Sequence, residues 1–221
     1  MRDSPRIRRL RSDLRSLENL RAESSIVDFR PVGDPPDKYL VRFHGKGLWC
    51  PDGTASSVMI RERHEVRIVL GASYPRMMPE LNWLSPIFHA NISSSGVVCL
   101  GGYGTYWVPS LGLDELCGML WDMVRYKNFD VESPYNREAA MWAKAQNTYR
   151  FPLDSRPIRD LKFHQANRAW NTAPRPRREQ NAENPATACG GPDALMLATD
   201  DEEIVDAEVV DVEDEDIVFL D

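Results

Sequence analysis

The sequence predicts an α+β domain: an N-terminal helix, a four-stranded antiparallel meander and C-terminal helices, followed by a disordered acidic tail. Three observations carry this. Apolar residues near the start recur every three or four positions; the next stretch breaks into short β-rich runs between Gly/Pro/Asp clusters; later stretches return to helical spacing.

In "PRIRRLRSDLRSLENLRAES" the residues Ile7, Leu10, Leu14, Leu17 and Leu20 share one face and arginines fill the others, which predicts an amphipathic first helix. "SIVDF", "KYLVRFHG" and "HEVRIVL" read as strands, separated by "VGDPPD" and "CPDGT", whose residues suit turns. "PELNWLS" supplies a fourth strand with Leu81 and Trp83 on one face. In "SLGLDELCGMLWDMVRY" the residues Leu113, Leu116, Cys117, Leu120, Met123 and Val124 follow helical periodicity, which reads Cys117 as core packing. "SPYNREAAMWAKAQNTYRF" predicts a helix capped by Ser133 with Pro134 at its first position. A further short helix is expected after Ser155 and Pro157, around "IRDLKFHQANRAW". The domain organisation is therefore a folded domain over 1–165, a flexible linker over 166–199 rich in Pro, Asn, Arg, Ala and Gly, and a tail over 200–221 that alternates acidic with apolar residues.

The net charge of -7 averages unlike parts, because the stretch from Asp200 to Asp221 holds 12 acidic residues and no Lys or Arg. The rest carries 27 basic against 22 acidic residues. The Arg-rich start lacks the apolar stretch of a signal peptide, and no run reaches membrane-spanning length, so the reading is cytoplasmic with no membrane partner. Nucleic acid is excluded as a partner because the overall charge is negative and no stacking-aromatic motif accompanies the arginines. The cysteines (Cys50, Cys99, Cys117 and Cys189) lie far apart without a CxxC pair, which argues against zinc and against a disulfide framework. Free thiols with no metal and no cofactor are expected.

Four patterns then fall in one order: "YP" at Tyr74 and Pro75, "HAN" at His89, Ala90 and Asn91, a cysteine eight residues after the Asn in "GVVCL", and "WVP" from Trp107 to Pro109. Together with the order of elements, this set resembles the ubiquitin-conjugating enzyme family over roughly residues 6 to 150. The resemblance implies the UBC-like fold, a catalytic domain over 1–165, and acyl transfer through a thioester on Cys99. The family's His-Pro-Asn has Ala90 in its centre here, which removes a φ restraint. "CLGGYG" lacks the acidic residue usual after the cysteine. These departures resemble prokaryotic relatives found in ubiquitin-like conjugation operons; a role in antiviral defence would follow from gene neighbours.

A thiolate attacks more readily than a hydroxyl and forms an acyl bond that an amine can later break, so cysteine suits such a carrier. The other reading of Cys99 is a buried small hydrophobe. Asn91 can donate to the oxyanion formed on amine attack, or hold its loop by bonding to carbonyls; both readings stand. His89, in the resembled family, braces the loop. Asp130, from "NFDVESPY", is the candidate acid beside the incoming lysine, with Glu132 and Ser133 as alternatives, and a solvated loop carboxylate is its other reading.

The resemblance assigns the basic face of the first helix, Arg8, Arg9, Arg11 and Arg15, to an activating enzyme, and Arg76, Trp107 and Pro109 to a ligase. For Trp107, core packing is the favoured reading. The partners implied are a ubiquitin-like modifier, its activating enzyme, a ligase and a substrate lysine. "EVVDVEDED" and "DIVFLD" resemble peptides that add a strand to ubiquitin-like folds, which would hold a modifier near Cys99; a solubilising tail is the alternative. Against the enzyme stand a non-catalytic modifier-binding module on the same fold, whose members typically lack the cysteine, and a cysteine hydrolase using His44, His64, His89 or His164, for which no local signature exists.

Overall fold

The computed structural model describes residues 3–52, 55–101 and 107–162; the linker and acidic tail lie outside them. Helix α1 spans Pro5–Ala22, begun by Ser4, whose hydroxyl accepts from the Ile7 N–H at 3.2 Å, and by Pro5 in the first turn. Leu10, Leu17 and Leu20 are its buried apolar face, as the spacing predicts. Strands β1 (Val27–Gly33), β2 (Pro36–Trp49), β3 (Met59–Val69) and β4 (Glu80–Trp83) follow, all antiparallel in the order β1-β2-β3-β4. The predicted meander is thus present, with β2 and β3 longer than their most β-rich cores. The register sets Phe29 opposite Val41, Phe43 opposite His64 and Val66 opposite Trp83.

Alternate residues of β2, Tyr39, Val41 and Phe43, are buried, and so are His64, Val66 and Ile68 of β3, so one face of the sheet is sealed. Helix α2 (Leu113–Val124) joins α1 over that face through Leu113, Leu116, Cys117, Leu120, Trp121 and Val124. The Phe43 ring stacks with Trp83 and with Trp121, each at 6.3 Å between centroids. Two glycines at the bulge of β2 admit these large rings. A Cβ on Gly45 would lie 2.5 Å from the Trp121 ring, and one on Gly47 would lie 2.6 Å from the His64 ring.

Helix α3 spans Arg137–Ala145 and starts three residues later than the Ser-Pro pair predicts. Asn136 is the cap, its side chain accepting from the Ala139 N–H at 3.1 Å, because the chain before it is pinned elsewhere: the N–H groups of Tyr135 and Asn136 both donate to the Ala90 carbonyl at 2.9 Å. Beyond α3 the chain returns along α2, where Trp121 Nε1 donates to Arg156 O at 2.9 Å, and reaches the end of α1, where the Asp160 carboxylate accepts from the Ser25 N–H at 2.8 Å. The helix expected near Ile158 begins only at Asp160, and its continuation lies outside the described residues.

A second apolar cluster sits beside the main core, built from Leu48, Phe88, Tyr126 and Ala139 with Phe129, Trp142, Tyr149 and Phe151 against them. Tyr126, just past α2, has φ +57°, a left-handed conformation uncommon for a bulky residue. Its fixed surroundings hold it there: the ring stacks on Phe151 at 4.6 Å and the hydroxyl donates to Phe88 O at 2.6 Å.

Candidate active site

The eight-residue step from Asn91 to Cys99 has a structural cause. Residues 93–97 form a tight turn in which the Ser93 N–H donates to Val97 O and the Gly96 N–H to Ser93 O, both at 2.9 Å. Gly96 has φ +82°, and a Cβ there would lie 2.1 Å from the Trp83 carbonyl oxygen, so only glycine lets the turn close against β4. The returning chain pairs Ile92 with Val98 and brings the Cys99 N–H onto the Asn91 carbonyl at 2.9 Å. Cys99 is thereby half-buried at the end of a pinned loop.

Asn91, only 3% exposed, holds the opposite loop. Its Nδ2 donates to Asp130 O at 2.9 Å and to Ser133 O at 3.4 Å, and its Oδ1 accepts from the Asp130 N–H at 2.7 Å. Of the two roles the sequence leaves open for Asn91, the brace is the one its contacts display. His89 is sealed from solvent, its ring 4.7 Å from that of Tyr126, and its Nδ1 accepts from the Asn91 N–H at 3.0 Å. Burial pushes its pKa down to about 3, against the opposing effect of the Asn128 backbone, so the imidazole is neutral at neutral pH with its proton on Nε2. A sealed neutral ring that already accepts a backbone proton is a brace, and Ala90, fully buried between these two residues, needs no proline to keep the tripeptide in place.

Asp130 is exposed, and its Oδ1 accepts from the N–H groups of Glu132 at 2.8 Å and Ser133 at 3.3 Å, which closes its own turn. One sequence-invisible neighbour joins the site: Tyr135 lies 36 positions beyond Cys99, yet its N–H donates to the Ala90 carbonyl at 2.9 Å and the Cys99 charge raises the pKa of its phenol. Nothing in the local pattern around Tyr135 signals this proximity.

The other expected positions separate into an inward and an outward set. Arg9 is turned inward: its Nε meets the Asp13 carboxylate at 2.8 Å, a terminal nitrogen donates to Tyr74 Oη at 2.9 Å, and the guanidinium also reaches the carbonyls of Pro109 and Leu111. Tyr74 in turn donates to Asp13, 3% exposed, at 2.7 Å. Asp13 is a buried charge that helical periodicity alone does not flag. Trp107 packs against the core and its Nε1 donates to Pro75 O at 2.7 Å, so the "YP" and "WVP" motifs are stitched together. Arg8, Arg11 and Arg15 stand exposed on α1, and Arg76 and Pro109 are exposed beside Met77 and Val108.

The remaining described thiols differ from Cys99 in their surroundings. Burial, aided by the Glu138 and Asp52 charges, pushes Cys50 up to about 11; burial, aided by Asp114, pushes Cys117 up to about 12. Since the thiolate is the nucleophile, Cys50 presents about a hundredfold less of it than a thiol with a pKa of 9.0. Iodoacetamide at pH 8 is therefore expected to label Cys99 well before Cys50 or Cys117, read by peptide mass mapping of the native protein; equal labelling of Cys50 would contradict this ordering. Among the described residues no group of three or more His, Cys, Asp or Glu is placed to hold a metal ion, and no helix is long and apolar enough to cross a membrane.

Residues 52–153, which include the histidine-asparagine turn, Cys99 and helix α2, match the family model described as ubiquitin-conjugating enzyme. The chain is similar to ubiquitin-conjugating enzyme E2 S of Dictyostelium discoideum, 29% identical over 76 residues that make up 34% of either chain. It is also similar to ubiquitin-conjugating enzyme E2 S of Drosophila grimshawi, 30% identical over 89 residues and 40% of either chain. The chain thus spans about a third to two-fifths of the length of these curated relatives. Among solved structures, S. cerevisiae Ubc12 shares the fold with a TM-score of 0.51 and 24% identity, over 66% of this chain and 75% of that one.

Proposed function

We propose, from the match of residues 52–153 to the ubiquitin-conjugating enzyme family model, that this chain carries a ubiquitin-like modifier as a thioester on Cys99 and passes it to a target amine. The observation that supports this most directly is the half-buried Cys99 thiol, set by backbone pairing against a histidine-asparagine turn braced through His89 Nδ1 and the Asn91 amide. A carrier must expose its sulfur to two macromolecules in succession, the charged activating enzyme and the target, and a thiol at a loop end meets that need.

In the first step the Cys99 thiolate attacks the thioester that joins the modifier's C-terminal carboxyl to the activating enzyme. A new C–S bond forms as the old one breaks, and the activating enzyme leaves as a thiolate. In the second step a lysine amine attacks the same carbonyl carbon, an amide forms, the Cys99–acyl bond breaks and the amine's proton passes to solvent. Asp130, whose Oδ1 is engaged in its own turn, would meet the amine through Oδ2. Arg8, Arg11 and Arg15 offer a basic face to an acidic activating enzyme, with Arg9 holding the helix to the "YP" loop behind them. Arg76, Met77, Val108 and Pro109 offer a mixed basic and apolar surface to a ligase. The departures at Ala90 and after Cys99 extend the proposal to a cytoplasmic, prokaryotic conjugation system, with neighbouring genes for a modifier and an activating enzyme as the expected finding.

The test is thioester capture. The full chain is mixed with a ubiquitin-like modifier, its activating enzyme and ATP, and wild type is compared with Cys99→Ser on reducing and non-reducing gels. A reductant-sensitive adduct in wild type, replaced in the variant by a resistant ester or by nothing, is the expected result. No adduct with a demonstrably charged activating enzyme would sink the carrier reading for that modifier, and binding of the uncharged modifier would then point to a non-catalytic module.

A further inference from the structure

Helices α1 and α2 cover one face of the sheet, and the other face is open and patterned. Strand side chains alternate, so Lys38, Leu40 and Arg42 point away from the core that holds Tyr39, Val41 and Phe43. The register sets Leu40 between Arg30 and Arg67, and Lys38 between Val32 and Val69. Two neighbouring rows thus read basic-apolar-basic and apolar-basic-apolar. Val32 is 51% exposed, and Lys38, Arg67 and Val69 join Glu80, Leu81 and Asn82 around a depression of about 310 Å³. Two acids of this face are spent on cations, Glu65 on Arg42 at 2.6 Å and Asp28 on Arg21 at 3.6 Å. Arg30, Lys38 and Arg67 make no ion pair among the described residues.

The sheet edges, by contrast, are closed to strand addition. On β1 the Val27 N–H donates to Ser24 Oγ at 3.3 Å, the Phe29 N–H donates to Asp28 Oδ1 at 2.8 Å, and Pro31 has none. At β4 the Trp83 N–H donates to Gly96 O at 2.7 Å and Asn82 is bridged to Val97. A partner of the sheet must therefore lie across its open face. The described chain also ends beside this sheet: the Leu161 N–H donates to Glu23 O and Lys162 pairs with the Glu23 carboxylate, both at 3.2 Å, just ahead of β1.

We infer that the acidic segment Asp200–Asp221 of this same chain docks on the open sheet face, its carboxylates on Arg30, Lys38 and Arg67 and its apolar residues over Val32, Leu40 and Val69. That segment, outside the described residues, holds 12 acidic residues and no Lys or Arg. It interleaves Ile204, Val205, Val209, Val210 and Val212 with Asp206, Glu208, Asp211 and Glu213, which matches the alternation of cations and apolar side chains on the sheet. Residues 163–199 can span at most about 120 Å. That is several times the radius of gyration of about 15 Å for a domain of this length, so the face is within reach. Charge selects this occupant over the same face of a second copy, which would bring Arg30, Lys38 and Arg67 against their own kind. Tethering selects it over a free acidic protein, because a segment of the same chain competes at a high effective concentration. The face is then covered until a partner displaces the segment, whether or not Cys99 carries a modifier.

Carbodiimide cross-linking of the full chain tests this, because the reagent joins only amines and carboxylates already in contact. The lysines are Lys38, Lys46, Lys127, Lys144 and Lys162, all exposed, and Lys38 alone stands in the two patterned rows. The expected result, read by peptide mass mapping of the monomer band, is that links to residues 200–221 come mainly from Lys38, at a yield independent of protein concentration. They should fall about threefold or more in 1 M NaCl, where the Debye length is about 3 Å. Arg30→Glu combined with Arg67→Glu should lower them as much and leave the thermal unfolding midpoint unchanged, since both side chains are exposed. If that variant fails to fold, the salt series on wild type still decides. Absence of links between Lys38 and the segment would overturn the inference. So would links spread evenly over Lys46, Lys127, Lys144 and Lys162, which mark a segment with no preferred seat. Links found only between copies, in a mixture of isotopically labelled and unlabelled chain, would also overturn it and assign the face to the segment of a second copy.

Discussion

Replacement of Asn91 by alanine is expected to lower the stability of the domain by about 2–3 kcal/mol, at roughly 1 kcal/mol for each hydrogen bond lost from a buried side chain. The amide makes three such bonds, all to backbone groups of the Asp130–Ser133 loop, from a position only 3% exposed. Losing them frees the Asp130–Ser133 loop from the turn to which Cys99 is paired, so discharge of a loaded thioester slows together with stability. Asn91→Asp is more damaging than alanine at neutral pH, because its second oxygen, having no proton to donate, would face the carbonyl oxygens of Asp130 and Ser133. Urea denaturation and single-turnover discharge on the same samples check this. Intact stability with slowed discharge for Asn91→Ala would instead favour direct oxyanion contact by the amide.

The contrast between Asn91 and Tyr135 marks how far sequence carries. Periodicity was sufficient for α1, the meander and α2, because each element has one sealed face and one open face and the pattern of Leu, Val and Ile records that directly. Ordered motifs were sufficient to place Cys99 beside Asn91, since the turn between them is short and closed by Gly96. The start of α3 was misread because Ser133 and Pro134 have the chemistry of a helix start; what moves the start to Asn136 is a bond from Tyr135 and Asn136 to Ala90, 45 residues upstream of Tyr135, which no local window contains. Arg9 was grouped with the exposed arginines for the same reason. On a helical wheel it belongs to the basic face, but a buried Asp13 one turn along and a tyrosine from the loop after β3 draw it inward. The place of Tyr135 was out of reach altogether, because it is fixed by the Ala90 carbonyl, a group that every residue carries.

Acidification is expected to weaken the domain through the same braces, with a loss of roughly 4 kcal/mol between pH 7 and pH 5, about 2 kcal/mol from each of two buried histidines. His64 and His89 are both sealed, and burial pushes their pKa values down to about 4 and about 3. For His64 the carbonyl of Arg61, 2.8 Å from Nε2, opposes the shift without cancelling it. In the unfolded chain both titrate near 6.5. Below that value the unfolded state binds protons that the folded state refuses, so stability falls as pH falls, and the loss grows until the folded-state values near 4 and 3 are reached. Urea midpoints from pH 7 to 5 measure the slope, and His64→Gln or His89→Gln should each remove about half of it, whatever either does to stability at pH 7. An unchanged slope in both variants would place the acid sensitivity elsewhere. In the folded state His89 stays neutral down to its value of about 3, so Nδ1 keeps accepting from the Asn91 N–H from pH 7 to 5 and the turn that carries Cys99 holds its hinge bond until the domain unfolds. Acid sensitivity through His89 is accordingly expected in the urea midpoint and not in the geometry of the folded site, because the proton binds the unfolded chain first.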